Sequence, residues 1–168
     1  KDSMRGKSEL TDTKNNKTSG LDKDYATAWS YGIAETLDLF VPNFMGGASM
    51  SKLDQNTETY KTCKKYGVSD LKNVTKSMPT YWGEQPITSG PVYIGAVVVF
   101  LFIFGLLYVE GIAKWWLAIA TLFSILLAWG HNFMPLTDIF LDYFPGYNKF
   151  RTVSMILVIA EFTMPLLA

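Results

Sequence analysis

The sequence predicts a mainly α-helical, polytopic membrane protein fragment, because long apolar runs stand close together in its second half. The eighteen residues from Val92 to Val109 carry no charged side chain, and a second such run extends from Trp115 to Gly130. About 18 to 20 apolar residues match a hydrocarbon layer of about 30 Å, and a crossing backbone satisfies its own polar groups as a helix. With a further apolar run at the end of the chain, about three transmembrane helices are expected.

The composition changes near residue 90. Residues 1–90 hold twelve of the 15 Lys and Arg residues and eleven of the 15 Asp and Glu residues. We therefore predict a polar loop region over 1–90, with short helices, and a transmembrane region over 91–168. The predicted spans lie at about 91–109, 115–131 and 152–168, with an interfacial connection over 132–151. The last span is expected to be truncated, so the remainder of the same polytopic protein is an expected partner.

Short helices are predicted within the loop region. Asp24 is a good N-cap, and a stripe at helical spacing follows it until Pro42, which predicts a helix over about 25–40. Residues 1–23 contain almost no large apolar side chains and predict a surface loop. Two further helices are predicted over about 57–66 and 69–77. No strong strand pattern is found.

Trp82, Glu84 and Gln85 lie in an aromatic, proline-containing segment directly before the first span. Aromatic residues suit the membrane interface, so a stiff interfacial turn explains the segment. A substrate-facing loop is the alternative, since an acid and an amide stand beside the indole. Both hypotheses stay open at the level of the sequence.

The connection between the second and third spans carries many polar groups. Asp138 and Asp142 are four residues apart, so they share one face of a short helix predicted between Pro135 and Phe144. Its apolar positions predict that this helix lies along the membrane interface. With His131, the two aspartates could hold a divalent cation, although no metal or cofactor is predicted.

The remaining candidates each have two interpretations. Lys149 and Arg151 precede the third span, where they could bind a phosphate or extend toward lipid headgroups. His131 is the only histidine and could act near neutral pH or cap the end of a span. Glu161 lies inside the third apolar run, where it faces a polar groove or meets water at the end of a tilted helix.

Five groups of short strings, taken in order, carry a family resemblance. They are AWSYG at 28–32, VPNFMGG at 41–47, YWGEQP at 81–86, SGPVY at 89–93, and NFMPL at 132–136 followed by YNKFR at 147–151. Their order resembles the YfhO-like family of bacterial polytopic membrane proteins over nearly the whole chain. That family is similar in architecture to the GT-C glycosyltransferases, which transfer a sugar from a polyprenyl-phosphate carrier to a cell-envelope acceptor.

The resemblance implies a membrane glycosyltransferase in the bacterial cytoplasmic membrane. It puts residues 1–90 on the extracytoplasmic side, whereas a count of positive charges would put them in the cytoplasm. Such enzymes place their catalytic carboxylate in an early outward loop, which we expect to precede this chain, so no catalytic residue is assigned. The residues implied in binding the carrier and the acceptor are Lys149, Arg151, Trp82, Glu84 and Gln85.

Other classes of membrane function are compatible with the same residues. A non-catalytic scaffold or a lipid flippase would use the same interface helix, and a transporter would use His131 and Glu161 to handle protons. Membrane lipids are partners in every case. The chain has no P-loop, dinucleotide fingerprint, nucleophile elbow or zinc motif. Its net charge of zero argues against a nucleic-acid partner.

Overall fold

The computed structural model describes residues 23–149 and 152–168, apart from the side chains of Lys72 and Asn148. Within these ranges the chain is mainly helical, as predicted, and extended pairing is limited to isolated bridges. The α-helices are α1 (Lys23–Ala26), α2 (Glu58–Lys65), α3 (Leu71–Val74), α4 (Ala96–Tyr108), α5 (Ala113–Ala128), α6 (Met134–Tyr143) and α7 (Val158–Leu167). Short 3₁₀ helices cover Ala34–Leu39, Gly130–Phe133, Tyr147–Lys149 and Val153–Leu157. The loop predicted over 1–23 lies, except for Lys23, outside the described residues.

The prediction of one helix over 25–40 is wrong. The chain forms the four-residue α1, leaves the helical path, and turns again as the 3₁₀ helix Ala34–Leu39. Between these elements the backbone bonds to a distant part of the chain. The Tyr31 N–H donates to Ala128 O at 2.7 Å, and Asn132 Nδ2 donates to Tyr31 O at 3.2 Å. These tertiary hydrogen bonds replace the ones that a continuous helix would have made.

Two of the predicted loop-region helices are present. The prediction over 57–66 is confirmed as α2, and the Thr57 hydroxyl caps its first turn. The helix predicted over 69–77 is shorter, because α3 is followed by backbone pairing. There Met78 and Ser51 exchange two hydrogen bonds of 3.0 and 3.1 Å.

The apolar segments form helices that are shorter than the predicted spans. α4 begins at Ala96 rather than near Pro91, because the Ile94 and Gly95 N–H groups both donate to Leu39 O. In the described part of the chain, no single helix combines the length and the apolar character needed to cross a membrane. α5 meets both conditions only together with residues 130–143, and the two parts are bent by 111° at the break.

α7 packs against both α4 and α5, which contact each other less. Gly105 of α4 permits the close approach, since a Cβ atom there would lie 2.5 Å from Leu167 O. Between α5 and α7, the buried hydroxyls of Thr121 and Thr163 lie 2.7 Å apart and form a hydrogen bond. α4 and α5 are therefore joined mainly through α7.

The loop region docks on the end of α5 through very small residues. The Ser30 hydroxyl accepts a hydrogen bond from the His131 N–H at 2.9 Å. Gly130, with φ of +47°, leaves room for this hydroxyl, and Tyr31 packs in a core with Ala128 and Leu157. This docking brings the Ala34–Leu39 helix next to the segment that precedes α4 and to the segment that follows α5.

Candidate functional site

Two carboxyl groups from different parts of the loop region meet at Gly32. Glu35 Oε2 lies 3.0 Å, and Glu84 Cδ 3.2 Å, from the point where a Cβ atom on Gly32 would stand. The separation between Glu35 Oε2 and Glu84 Cδ is therefore at most the sum of these two distances. We call Glu35, Tyr81, Glu84, His131 and Asn132 the carboxylate site.

Glu35 is the buried carboxylate of this site. Its side chain is 1% exposed and accepts a hydrogen bond from the Gly32 N–H at 2.5 Å. Its second oxygen accepts one from the Tyr81 hydroxyl, which in turn accepts one from the Gln85 N–H at 3.0 Å. Burial, followed by the hydrogen bond to Glu35, raises the pKa of Tyr81, so the phenol stays protonated. Glu35 thus fixes the loop on which Glu84 stands.

Glu84 is the accessible carboxylate. Its Oε2 atom accepts a hydrogen bond from Asn132 Nδ2 at 2.6 Å and lies 3.7 Å from His131 Nε2. The other nitrogen of the imidazole, Nδ1, lies 3.3 Å from Thr27 O. Both ring nitrogens of His131 therefore face oxygen atoms, and the contact with Glu84 has the length of an ion pair rather than of a hydrogen bond. Because the side chains of Glu84 and His131 are 52% and 46% exposed, a ligand can reach this pair.

Trp82 stands two residues before Glu84 with its side chain in solvent. The residue is 81% exposed, whereas its backbone N–H donates to Met45 O at 2.8 Å. Gly46 lies against Thr80 and the Trp82 ring, so the backbone under the indole is closely packed. A fixed backbone with an exposed indole can act as a flat apolar surface for a ligand.

Asp138 and Asp142 do share a face of α6, as predicted, but they do not combine with His131. Lys23 Nζ lies 2.6 Å from Asp138 Oδ1 and 3.3 Å from Asp142 Oδ1. These ion pairs raise the pKa of Lys23, with the hydrogen bond to Asp138 as the largest cause. Among the described residues, no three His, Cys, Asp or Glu side chains are close enough to hold a metal ion. The two aspartates join α1 to α6.

The residues predicted to bind a phosphate lie elsewhere. Lys149 is exposed in the 3₁₀ turn Tyr147–Lys149, and Arg151 lies outside the described residues. The Tyr147 ring packs on Phe140 of α6, with 5.5 Å between ring centroids, which places this turn at the C-terminal half of α6. Glu161 is exposed on α7. The structure thus brings Glu84 and His131 together and bonds the Gln85 N–H to Tyr81, whereas it leaves Lys149 and Glu161 outside that site.

No family model, curated protein or solved structure matches this chain. The assignment of the site rests on the contacts among its own residues.

The sequence does not predict the buried half of the site or the second buried acid beside it. Glu35 and Asp38 are 1% and 0% exposed, and Tyr31 and Tyr81 lie beside them. The available signal was their position, since both acids belong to the stripe that predicts the buried face of a helix. A carboxylate on such a stripe loses its contact with water when that face of the helix packs. It is therefore a candidate for a buried functional group.

Proposed function

We propose that this chain is part of a polytopic bacterial membrane protein of the YfhO-like family. In this proposal it is a GT-C-type glycosyltransferase that uses a polyprenyl-phosphate-linked sugar to modify a cell-envelope polymer or lipid. The observation that carries the proposal is the accessible Glu84 carboxylate, held by Asn132 and His131 beside the exposed indole of Trp82. A carboxylate base beside an aromatic surface suits a reaction at a sugar hydroxyl, so this proposal gives Glu84 the role for which the resemblance implies an earlier carboxylate.

Large apolar side chains on the helix surfaces support a membrane location. Each of α4, α5 and α7 exposes several of them, with exposed fractions above one half. They are Val97, Phe100, Ile103 and Leu107 on α4, Trp115, Trp116, Ile119 and Leu122 on α5, and Val158, Phe162 and Leu166 on α7. Exposed apolar surface of this extent is typical of a lipid or protein contact. In this proposal, further parts of the same polytopic protein pack against these helices and cover their exposed apolar faces.

The angle between α5 and α6 supports the interfacial position of α6. A bend of 111° turns residues 130–143 across the direction of α5. If α5 crosses the bilayer, α6 then lies near the membrane surface, and the carboxylate site at the end of α5 lies at the same depth. The proposal places this surface, with residues 1–90, on the extracytoplasmic side.

The proposed reaction is a transfer of the sugar to an acceptor hydroxyl. Glu84 takes the hydroxyl proton while the acceptor oxygen forms a bond to the anomeric carbon. The bond between the anomeric carbon and the carrier phosphate breaks, and the electron pair leaves with the phosphate. General-base catalysis of this kind contributes about 10²–10⁴ in rate. Asn132 and His131 orient the carboxylate, and Trp82 provides a surface for the sugar ring.

The carrier would bind beside α6 in this proposal. An apolar cavity of about 130 Å³ there is lined by Ile139, Phe140, Tyr143 and Phe144. It suits a prenyl chain, and Lys149 stands in the turn that packs on Phe140. A cation in that turn would attract the negatively charged carrier to this side of α6, with Arg151 close by in the sequence.

The test is transfer of labelled sugar from a polyprenyl-phosphate carrier in membranes that contain the protein, compared with membranes that lack it. Protein-dependent transfer supports the proposal. Carrier binding without turnover across several carriers and sugars contradicts it and favours a scaffold or a flippase. Proton-coupled uptake that is lost on replacing Glu161 would instead indicate a transporter.

A further inference from the structure

A second cavity, apart from the carboxylate site, lies in the loop region and has a volume of about 210 Å³. Its lining comes from the segment before α2, from α2 itself and from the segment that follows α3. The residues that line it are Lys52, Leu53, Gln55, Tyr60, Thr75 and Lys76. Two of these residues are cationic, and no acidic residue of the described chain belongs to the lining, so the cavity suits an anion.

The backbone places the two lysines of this cavity opposite each other. Hydrogen bonds of 2.8, 3.0 and 3.1 Å join residues 51 and 53 of one segment to residues 78 and 75 of the other. Between these bonded positions, the first segment has one residue, Lys52, and the second has two, the first of which is Lys76. This count of one residue against two is that of a β-bulge. Lys52 and Lys76 are thus held at the same place on both sides of the pairing.

Neither lysine is compensated by an acid. The ion pairs in the described part of the chain involve other cations than Lys52 and Lys76. Like charges that stand opposite each other across a pairing repel. The surroundings are positive as well, since residues 51–78 contain six Lys and only three Asp or Glu residues. One of these acids, Glu58, already pairs with Lys61. The cavity therefore lies in a positive region of a chain whose net charge is zero.

We propose that this cavity binds a phosphate group, with Lys52 and Lys76 as its two cationic partners. A phosphate monoester carries a charge of about −1.5 to −2 at neutral pH and has three acceptor oxygens. It therefore matches two ammonium groups, whereas a carboxylate matches one. Lysine binds phosphate as a compact point charge with three donors. The Tyr60 hydroxyl and the Gln55 amide are further donors in the lining.

Local hydrogen bonds hold the less exposed side of the cavity in place. The Tyr60 N–H donates to the Thr57 hydroxyl that caps α2, at 3.3 Å. Thr75 is buried, and its hydroxyl donates to Leu71 O at 2.6 Å. The lining is therefore formed before a ligand arrives, which lowers the cost of binding. None of the carboxylate-site residues belongs to it, so this binding is independent of the proposed sugar transfer.

The test is isothermal titration calorimetry of the purified protein in detergent with inorganic phosphate, at low ionic strength and about pH 8, where phosphate is a dianion. We expect saturable binding that weakens as sodium chloride is added. Acetate, with a single charge, should bind at least about tenfold more weakly. Absence of saturable phosphate binding would overturn the proposal. So would acetate binding as tightly as phosphate.

Two variants and a matched control locate the binding. Lys52→Gln and Lys76→Gln should each weaken phosphate binding about fivefold. Lys65→Gln removes the same charge from an exposed position on α2 outside the lining, and it should leave the affinity unchanged. Without phosphate, the loss of repulsion should leave the unfolding midpoint of Lys76→Gln equal to that of the wild type or higher, which shows that the variant is folded. Equal weakening by all three changes would indicate a diffuse attraction and contradict the site.

The same titration distinguishes a soluble phosphate ester from a lipid headgroup. The probes are glycerol phosphate and a short-chain phosphatidic acid, with phosphatidylcholine of the same chain length as the control for insertion into the micelle. Similar affinities for the two monoesters, both lowered by Lys52→Gln, assign the site to a soluble ester. Tighter binding of phosphatidic acid that Lys52→Gln weakens assigns it to a headgroup. Binding of both monoesters that Lys52→Gln leaves unchanged would contradict the proposal.

Discussion

Asn132 Nδ2 donates to Glu84 Oε2 at 2.6 Å, although the two residues are 48 positions apart in the sequence. The same nitrogen donates to Tyr31 O at 3.2 Å, so one amide joins the loop before the first apolar helix to the segment after α1. This amide therefore holds together three separate parts of the chain at the carboxylate site.

Replacing Asn132 by Ala should loosen this arrangement. The change removes donors from the Glu84 carboxylate and from a backbone carbonyl, and we expect the free energy of unfolding to fall by about 1–3 kcal/mol. Chemical unfolding in detergent measures it. Asn56→Ala is the matched control, since Asn56 is an exposed amide whose contact with Asp54 spans 3.5 Å. Equal effects of the two changes would contradict the structural role of Asn132.

The stability of the protein should depend on the pH through Asp38. Burial raises the folded-state pKa of this carboxyl above its ordinary value of 3.8, so the unfolded chain loses the proton first as the pH rises. The stability that the protonated Asp38 contributes to the folded state is complete below the ordinary pKa. It is lost as the pH rises through the folded-state pKa.

The free energy of unfolding of the wild-type protein should therefore fall relative to that of Asp38→Asn as the pH is raised from about 4 to 7. Parallel pH profiles of the two proteins would contradict the raised pKa of Asp38.

The hydroxyl pair between α5 and α7 should contribute measurably to helix packing. Thr163→Val keeps the shape of the side chain but removes the hydrogen bond to Thr121, and we expect a loss of about 0.6–2 kcal/mol. Thr59→Val, on the exposed surface of α2, should change stability by less than about 0.5 kcal/mol. Both are measured by unfolding in the same detergent. A loss no larger than that of Thr59→Val would indicate that the bond adds nothing.

The ion pairs of Lys23 should be weak and sensitive to salt. The Lys23 side chain is 38% exposed, and each aspartate side chain is 43% exposed, so solvent screens the attraction. Lys23→Met should cost less than about 1 kcal/mol at low salt and nothing measurable at 1 M salt. A larger cost that persists at high salt would show that Lys23 acts through packing instead.

The sequence predicts the local elements better than the arrangement that makes the site. Thr57 marks the start of α2, and the four-residue spacing of Asp138 and Asp142 predicts their shared face on α6. These features depend on neighbours along the chain, which a sequence displays directly.

The break in the predicted helix over 25–40 could not be predicted in this way. It depends on hydrogen bonds from Tyr31 to Ala128 and from Asn132 to Tyr31, which join residues about a hundred positions apart. The pairing of Glu84 with His131 has the same origin. The burial of Glu35 follows from the docking of the loop region on α5, so its role is visible only once that contact is known.

The most direct test of the account is sugar transfer by Glu84→Gln in membranes, measured beside Glu58→Gln as a control on the exposed face of α2. The glutamine keeps a hydrogen-bonding side chain at the site but cannot accept the proton of the acceptor. We predict a loss of about 10²-fold or more in the transfer rate for Glu84→Gln and none for Glu58→Gln. Transfer at the wild-type rate by Glu84→Gln would contradict the assignment of Glu84 as the base.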